Sequence, residues 1–274
     1  MKKIVGILSI LFVLSLAACG GDKSSDKDSN EIKVGAQSVP HAEILEEAKP
    51  LLEEKGITLE IEEYQDYILP NDDLDNGTLD ANYFQHIPYL EQTKEDTGYE
   101  LDYIDGIHIE PMGVYSKTFD SIDNIPDGTE VIFSNSVSDH GRVLSLLEKG
   151  NLIKLDEDVE KSKATLDDIL ENPKNLKFSP DYDPAILPEL YDKEDDTLLA
   201  INTNYAIDAG LNPLNDSLII EGDESPYVNI IAVRSADKEN EALNTLVDVL
   251  HSDDIQQFIE EKYNGAVIPV GGND

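Results

Sequence analysis

Residues 100–115 read ELDYIDGIHIEPMGVY. The run is rich in aromatic and β-branched residues, as strands are, yet it outlasts the usual strand of about 5–6 residues. A strand of this length can leave one sheet and enter another, so the stretch predicts two sheets rather than one. Strand-like and helix-like segments alternate on either side of it. Upstream, 32–37 reads as a short strand. Residues 41–55 carry Ile44, Leu45, Ala48, Leu51 and Leu52 on one helical face and stop at Gly56. Pro50 lies inside that helix and is expected to kink or split it. Residues 57–64 turn Ile57, Leu59 and Ile61 inward as a strand, 71–77 form a short helix, 81–84 a brief strand and 86–97 a further helix. Downstream come a strand at 130–134 and a helix at 139–149. Thr165-Leu166-Asp167-Asp168 looks like a capping box opening a helix that Asn172-Pro173 stops. Residues 198–201 and 228–233 are apolar enough for buried strands, and 239–252 and 254–263 are amphipathic helices. This alternation predicts an α/β fold of two lobes, each a mixed, mainly parallel sheet flanked by helices. The ligand of such a fold sits in the cleft between the lobes.

Composition narrows the function. Asp and Glu number 58 against 20 Lys and Arg, a formal charge of -38, which would repel nucleic-acid phosphates. The single cysteine rules out a disulfide framework. Extreme charge alone suggests disorder, but 40% of the residues are hydrophobic and regularly spaced, so a core can form.

The N-terminus reads as an export signal. Met1-Lys2-Lys3 is followed by an uncharged apolar run, 4–18, which is too short to span a bilayer but suits a signal peptide. Leu16-Ala17-Ala18-Cys19 resembles a bacterial lipobox, so residues 1–18 are expected to be removed and Cys19 to carry lipid. Loss of Lys2 and Lys3 takes the charge of -38 to about -40. Residues 19–31 then form a flexible, polar tether, and the body is held on the extracytoplasmic face of the cell membrane by its lipid anchor.

A search for catalytic chemistry finds no Gly-x-Ser-x-Gly, no Walker loop and no dinucleotide fingerprint. The five histidines lack metal-ligand spacing, and His108 with Glu110 on one strand face is only a weak zinc hint. No metal, no cofactor and no enzyme activity are expected. Uncharged polar and aromatic residues instead cluster where strands end, the usual ligand position in open α/β sheets.

Those clusters carry a resemblance. Asp66-Tyr67-x-Leu69-Pro70-Asn71, then Asp80-Ala81-Asn82-x-Phe84-Gln85-His86-x-Pro88-Tyr89-Leu90, resembles the methionine-binding lipoproteins of bacterial ABC importers. Glu171-Asn172-Pro173-Lys174-Asn175-Leu176, Ile201-Asn202-Thr203-x-Tyr205-Ala206 and Ser225-Pro226-Tyr227-Val228-Asn229 continue it in order, over about 32–265. The resemblance implies a two-lobed, periplasmic-binding-protein-like fold. Residues 32–114 and 229–274 would form lobe 1 and residues 115–228 lobe 2. It also implies capture of L-methionine and delivery to a membrane permease and its ATPase, by a monomer. The alternatives are D-methionine, another amino acid, a methionine-containing dipeptide, or a surface interaction lipoprotein with no transport role.

By the same resemblance Tyr67, Phe84, His86 and Tyr89 would surround the methionine side chain. Arg142 would hold the α-carboxylate, and Asn202 and Asn229 the backbone groups. The chemistry suits those roles, since thioethers pack well on aromatic rings and a guanidinium fork at a helix N-terminus fits a carboxylate. Amides both donate and accept, as a zwitterion requires. Arg142 is one of only two arginines in the chain, Arg234 being the other. Relatives commonly carry an asparagine where Asp139 stands. Asp139 is therefore expected either to neutralise Arg142 or to meet the ligand ammonium.

Overall fold

The computed structural model describes residues 30–222 and 225–271. Residues 1–18, Cys19 and nearly all of the expected tether lie outside them, and Glu31 already belongs to the first strand. No helix among the described residues is long and apolar enough to cross a membrane.

The strands in chain order are β1 (Glu31–Gln37), β2 (Thr58–Tyr64), β3 (Ala81–His86), β4 (Leu101–Ile109), β5 (Gly113–Tyr115), β6 (Glu130–Ser134), β7 (Lys154–Leu155), β8 (Ile169–Glu171), β9 (Lys177–Tyr182), β10 (Thr197–Ile201), β11 (Ile219–Ile220), β12 (Val228–Arg234) and β13 (Ile268–Pro269). The α-helices are α1 (Glu43–Glu54), α2 (Leu69–Asp75), α3 (Ile87–Thr97), α4 (Val137–Lys149), α5 (Leu187–Lys193), α6 (Thr203–Asp208), α7 (Pro213–Asp216), α8 (Glu241–Leu250) and α9 (Asp253–Tyr263). One sheet has the order β13-β4-β12-β3-β1-β2, a second the order β11-β5-β10-β6-β9, and β7 with β8 makes a small ribbon.

The long stretch at 100–115 does what its length predicted. β4 ends at Ile109 in the first sheet, and β5 begins at Gly113 in the second. The chain returns between β11 and β12. The two crossings touch: Glu221 N donates to Met112 O at 3.0 Å, and Met112 N to Glu221 Oε2 at 2.9 Å.

Alternation along the strands sends side chains into cores on both faces of each sheet. In β12, Ile231 and Val233 join a cluster with Leu45 and Leu52 of α1, Leu246 and Leu250 of α8 and Ile255 and Ile259 of α9. Ile230 and Ala232 face the other way, towards Leu74 of α2 and Leu90 of α3. In β10, Leu198 and Ala200 pack with Val143 and Leu147 of α4, while Leu199 and Ile201 meet Leu187 of α5 and Tyr205 of α6.

Three local expectations change. The sheets are mixed, as expected, but parallel pairing covers only β3-β1-β2 and β10-β6-β9. β12, β4 and β13 pair antiparallel, as do β5 and β11. β5 and β12, the strands that receive the chain from the crossings, run against their neighbours, so antiparallel pairs equal or outnumber parallel ones although most strands of each sheet point one way. Pro50 neither ends nor divides α1. It is exposed, so the Glu46 carbonyl that loses its N–H partner lies on the solvent side. The capping box at Thr165 and Asp168 forms, but it opens one 3-10 turn rather than an α-helix. The chain then enters β8, which pairs with β7, and Asn172 closes a turn through bonds to Leu176 N and O at 2.8 and 2.9 Å.

Most ion pairs lie at the surface, such as Lys33 with Glu60 and Glu62 at 2.8 and 2.9 Å, and contribute about 0–1 kcal/mol each. They leave the charge of -38 largely uncompensated. Raising salt from about 10 to 150 mM shortens the Debye length from about 30 to 8 Å. Tm is therefore expected to rise by about 2–4 °C, equivalent to about 1 kcal/mol. A Tm that falls over that range would show that self-repulsion is not what limits stability.

Candidate functional site

A small cavity of about 30 Å³ lies between the two sheets. Its lining includes all seven residues singled out as ligand-binding from the sequence: Tyr67, Phe84, His86, Tyr89, Arg142, Asn202 and Asn229. They arrive from six different segments, so the fold rather than sequence proximity assembles them.

One end is aromatic. Tyr67 follows β2, in a turn fixed by Asp66 Oδ1, which accepts from Ile68 N and Leu69 N at 2.8 Å each. Phe84 and His86 project from alternate positions of β3, and Tyr89 stands in the first turn of α3. The Tyr67, Phe84 and Tyr89 rings lie 5.8–6.0 Å apart in tilted and edge-on arrangements, a spacing that favours aromatic attraction. Tyr67 Oη donates to Asn204 Oδ1 at 2.7 Å and Tyr205 Oη to Gln65 O at 3.0 Å, so bonds cross the cleft from one sheet's side to the other.

His86 links the two ends. Its Nδ1 accepts from Tyr89 N at 3.1 Å and caps α3, which places the proton on Nε2. That nitrogen reaches Asp139 Oδ1 across the cleft at 3.3 Å. His86 is thus both the brace of its helix and part of the cavity wall.

The polar end is built on the first two turns of α4, where Asp139 and Arg142 lie one turn apart. Gly141 between them allows the helix to press against a neighbouring loop, because a Cβ there would come within 2.5 Å of backbone atoms of Lys161 and Ser162. Arg142 is 4% exposed. Its Nε and Nη2 donate to Glu221 Oε1 and Oε2 at 2.8 and 2.6 Å, and Nη2 also donates to Glu110 O at 2.7 Å. The guanidinium lies 4.4 Å from the Tyr227 ring centre. Burial works against the charge, but Glu221 more than offsets it and holds Arg142 protonated. Nη1 has no partner among the described residues.

Asp139 does not neutralise Arg142 by direct contact; Glu221 does. Asp139 accepts instead from His86 and from Asn202 Nδ2, the latter at 3.1 Å. Burial raises its carboxyl, but the hydrogen bond from His86 and the nearby Arg142 charge outweigh that and hold it below its ordinary range. Asn202 Oδ1 is left buried and without a partner.

Behind this end lies a second buried acid. Glu110, at the first crossing, accepts at Oε1 from His108 Nε2 and His41 Nε2 at 2.7 and 3.1 Å, and at Oε2 from Asn204 N at 3.0 Å. Tyr83 Oη bonds His108 Nδ1. Burial pushes the Glu110 carboxyl up, but the two histidines overcome it and hold it well below the carboxylate range. His108 is pushed down by its own burial. His41, His108 and Glu110 offer ligand-type atoms within 4.8 Å of one another, so the His108–Glu110 zinc hint gains a third candidate donor. His108 Nε2 is bonded to Glu110 and His41 Nε2 to Asn229 Oδ1 at 3.0 Å, while His41 Nδ1 is buried without a partner.

Sequence reasoning missed Glu110 as part of the cavity wall, and Glu221 altogether. Among 58 acids, neither carried a local signal marking it as a partner of the cavity-lining residues.

Residues 32–271 match the profile of the NlpA lipoprotein family. The chain is 46% identical to the methionine-binding lipoprotein MetQ of Bacillus subtilis strain 168 over 273 residues, spanning 98% of this chain and 99% of that one. It superposes with a TM-score of 0.82 on a nutrient-binding protein of Burkholderia cenocepacia bound to methionine, at 37% identity over 88% of this chain and 100% of the other. A periplasmic substrate-binding protein of an ABC transporter from Coxiella burnetii also superposes at 0.82, with 38% identity over 87% of this chain and 100% of the other.

Proposed function

This chain belongs to the NlpA lipoprotein family, and from that premise we propose that it captures methionine outside the cytoplasmic membrane and delivers it to an ABC importer. The observation that carries the reading is the two-ended cavity. Three aromatic rings form one end, and Arg142, Asp139, Asn202 and Asn229 converge at the other. A thioether has no strong hydrogen-bonding group but gains about 0.3–1.5 kcal/mol from each aromatic contact. The opposite end offers a cation for a carboxylate and acceptors for an ammonium.

On this reading the two sheets are the cores of two lobes, 32–114 with 229–274 and 115–228, which close on the ligand. Cys19 bears the lipid that holds the protein at the extracytoplasmic face, residues 1–18 are removed, and the mature protein works as a monomer. A permease and its ATPase take the ligand inward. The protein contributes binding and closure, and no covalent step.

Native mass spectrometry of gently purified protein tests the proposal. One bound methionine per chain is expected; a different small molecule at full occupancy would replace methionine in the reading. The apolar end has its own test. Phe84→Ala is expected to weaken methionine binding about tenfold, from lost ring contact and buried apolar area. Phe84→Leu should keep most of the affinity, and equal affinity in Phe84→Ala and wild type would place the side chain elsewhere.

A further inference from the structure

The two asparagines of the polar end are held in opposite senses. His41 Nε2 faces two acceptor positions at once, Glu110 Oε1 at 3.1 Å and the Asn229 side chain at 3.0 Å. Facing an ionised carboxylate, that nitrogen carries a proton and donates. The Asn229 atom turned towards it is therefore the amide oxygen. Asn229 Nδ2, which has no partner among the described residues, is the atom left for the cavity. At Asn202 the logic reverses. Its partner is Asp139 Oδ2, which can only accept, so Nδ2 is consumed and the buried, unpartnered Oδ1 is left over. Among the lining residues the donors Asn229 Nδ2 and Arg142 Nη1 are thus left available, and so is the acceptor Asn202 Oδ1, which belongs to the amide bonded to Asp139.

We infer that Glu110, acting through His41, and Asp139, acting directly on Asn202, are positioning residues that set the polarity of the two amides, so that the cavity selects a free carboxylate and a free ammonium in one fixed order. Without these anchors either amide can rotate by half a turn and exchange donor for acceptor at little cost. With them, a rotated amide would set oxygen against carboxylate at Asp139, or N–H against N–H at His41, and leave a buried polar group unsatisfied. Asn229 would then meet the ligand carboxylate beside Arg142, and Asn202 the ligand ammonium beside Asp139. This inference rests on the amino-acid reading of the cavity and adds which end of the ligand each amide reads.

The test is a crossed panel by isothermal titration. The probes are methionine, methioninamide, which lacks the carboxylate, and 2-hydroxy-4-(methylthio)butanoate, which lacks the ammonium. The wild-type chain is expected to bind each analogue at least ~100-fold more weakly than methionine, because a site built around a group rejects ligands lacking it. His41→Leu frees Asn229, so the methioninamide penalty should shrink by roughly tenfold, the worth of about one hydrogen bond, with the hydroxy-acid penalty unchanged. Asp139→Asn frees Asn202 and should do the reverse. A residue that only stabilised the fold would weaken all three probes together. If His41→Leu fails to fold, Glu110→Gln removes the same anchor and carries the same expectation. Variants that bind methionine but keep wild-type ratios overturn the inference and leave the methionine reading standing. If the wild type binds another amino acid instead, the methionine reading fails, and the same crossed panel made from that amino acid decides the polarity. A chain that binds no amino acid overturns both.

Discussion

Arg142→Ala will all but abolish methionine binding, lowering affinity by about 2–5 kcal/mol, the usual result of truncating one partner of a buried charge pair. At about 1.4 kcal/mol per factor of ten, that is a loss of roughly 30- to several thousand-fold. Arg142 is 4% exposed, and the ligand carboxylate would lose its cation in a site where water cannot replace it. Arg142→Lys should recover little, because a lysine cannot span Glu221 Oε1 and Oε2 and Glu110 O while still presenting a donor to the cavity. Titration calorimetry on folded variants measures the effect. Affinity within threefold of wild type in Arg142→Ala would remove the guanidinium from the binding site.

The second large effect concerns stability. Glu221→Ala leaves Arg142 buried without its counter-ion and frees Met112 N, at the point where the two crossings touch. Breaking a buried pair in this way costs about 3–5 kcal/mol. The lower end is expected here, because Glu110 O and the Tyr227 ring remain beside the guanidinium. Urea denaturation without ligand should show the loss as a lower midpoint with an unchanged slope. Saturating methionine should then raise the midpoint more in the variant than in wild type, since the ligand carboxylate takes over part of the compensation. A variant as stable as wild type would mean that Glu221 does not anchor Arg142.

What the sequence made legible, and what it did not, follows from the range of the interactions. The crossing at 100–115 was readable because strand length is a local property, and the structure divides that stretch between β4 and β5. Phe84, His86 and Tyr89 were readable as a set because they share one short motif. The helix expected after Thr165 failed for the opposite reason. A capping box favours a helical turn, but whether the helix continues was decided by pairing of β8 with β7 and by the Asn172 turn. The polar end depends on still longer connections. Arg142 meets Glu221 across 79 residues, and His41 meets Asn229 across 188. In so acidic a chain nothing local separates a carboxylate bonded to a buried side chain, such as Glu110 or Glu221, from those that only hydrate the surface. Asp139 was recognisable as a departure from its relatives, but its partners, His86 and Asn202, became visible only once β3, α4 and α6 were placed around one cavity.

The acid surplus and the cavity therefore have separate physical roles. Exposed carboxylates set the protein's hydration and its sensitivity to salt. Three others, the buried Glu110 and Asp139 and the half-buried Glu221, are each tied to a residue that lines the cavity: Asn229 through His41, Asn202, and Arg142.

The central claim, a cavity shaped for one free amino acid with a thioether side chain, is tested most directly by titrating the ligand-free protein calorimetrically with the twenty standard amino acids and D-methionine. Saturable binding of L-methionine at one site per chain is expected, at least tenfold tighter than leucine, an apolar amino acid of similar size that lacks the sulfur. Tight binding of another amino acid with no measurable heat from either form of methionine would contradict the account.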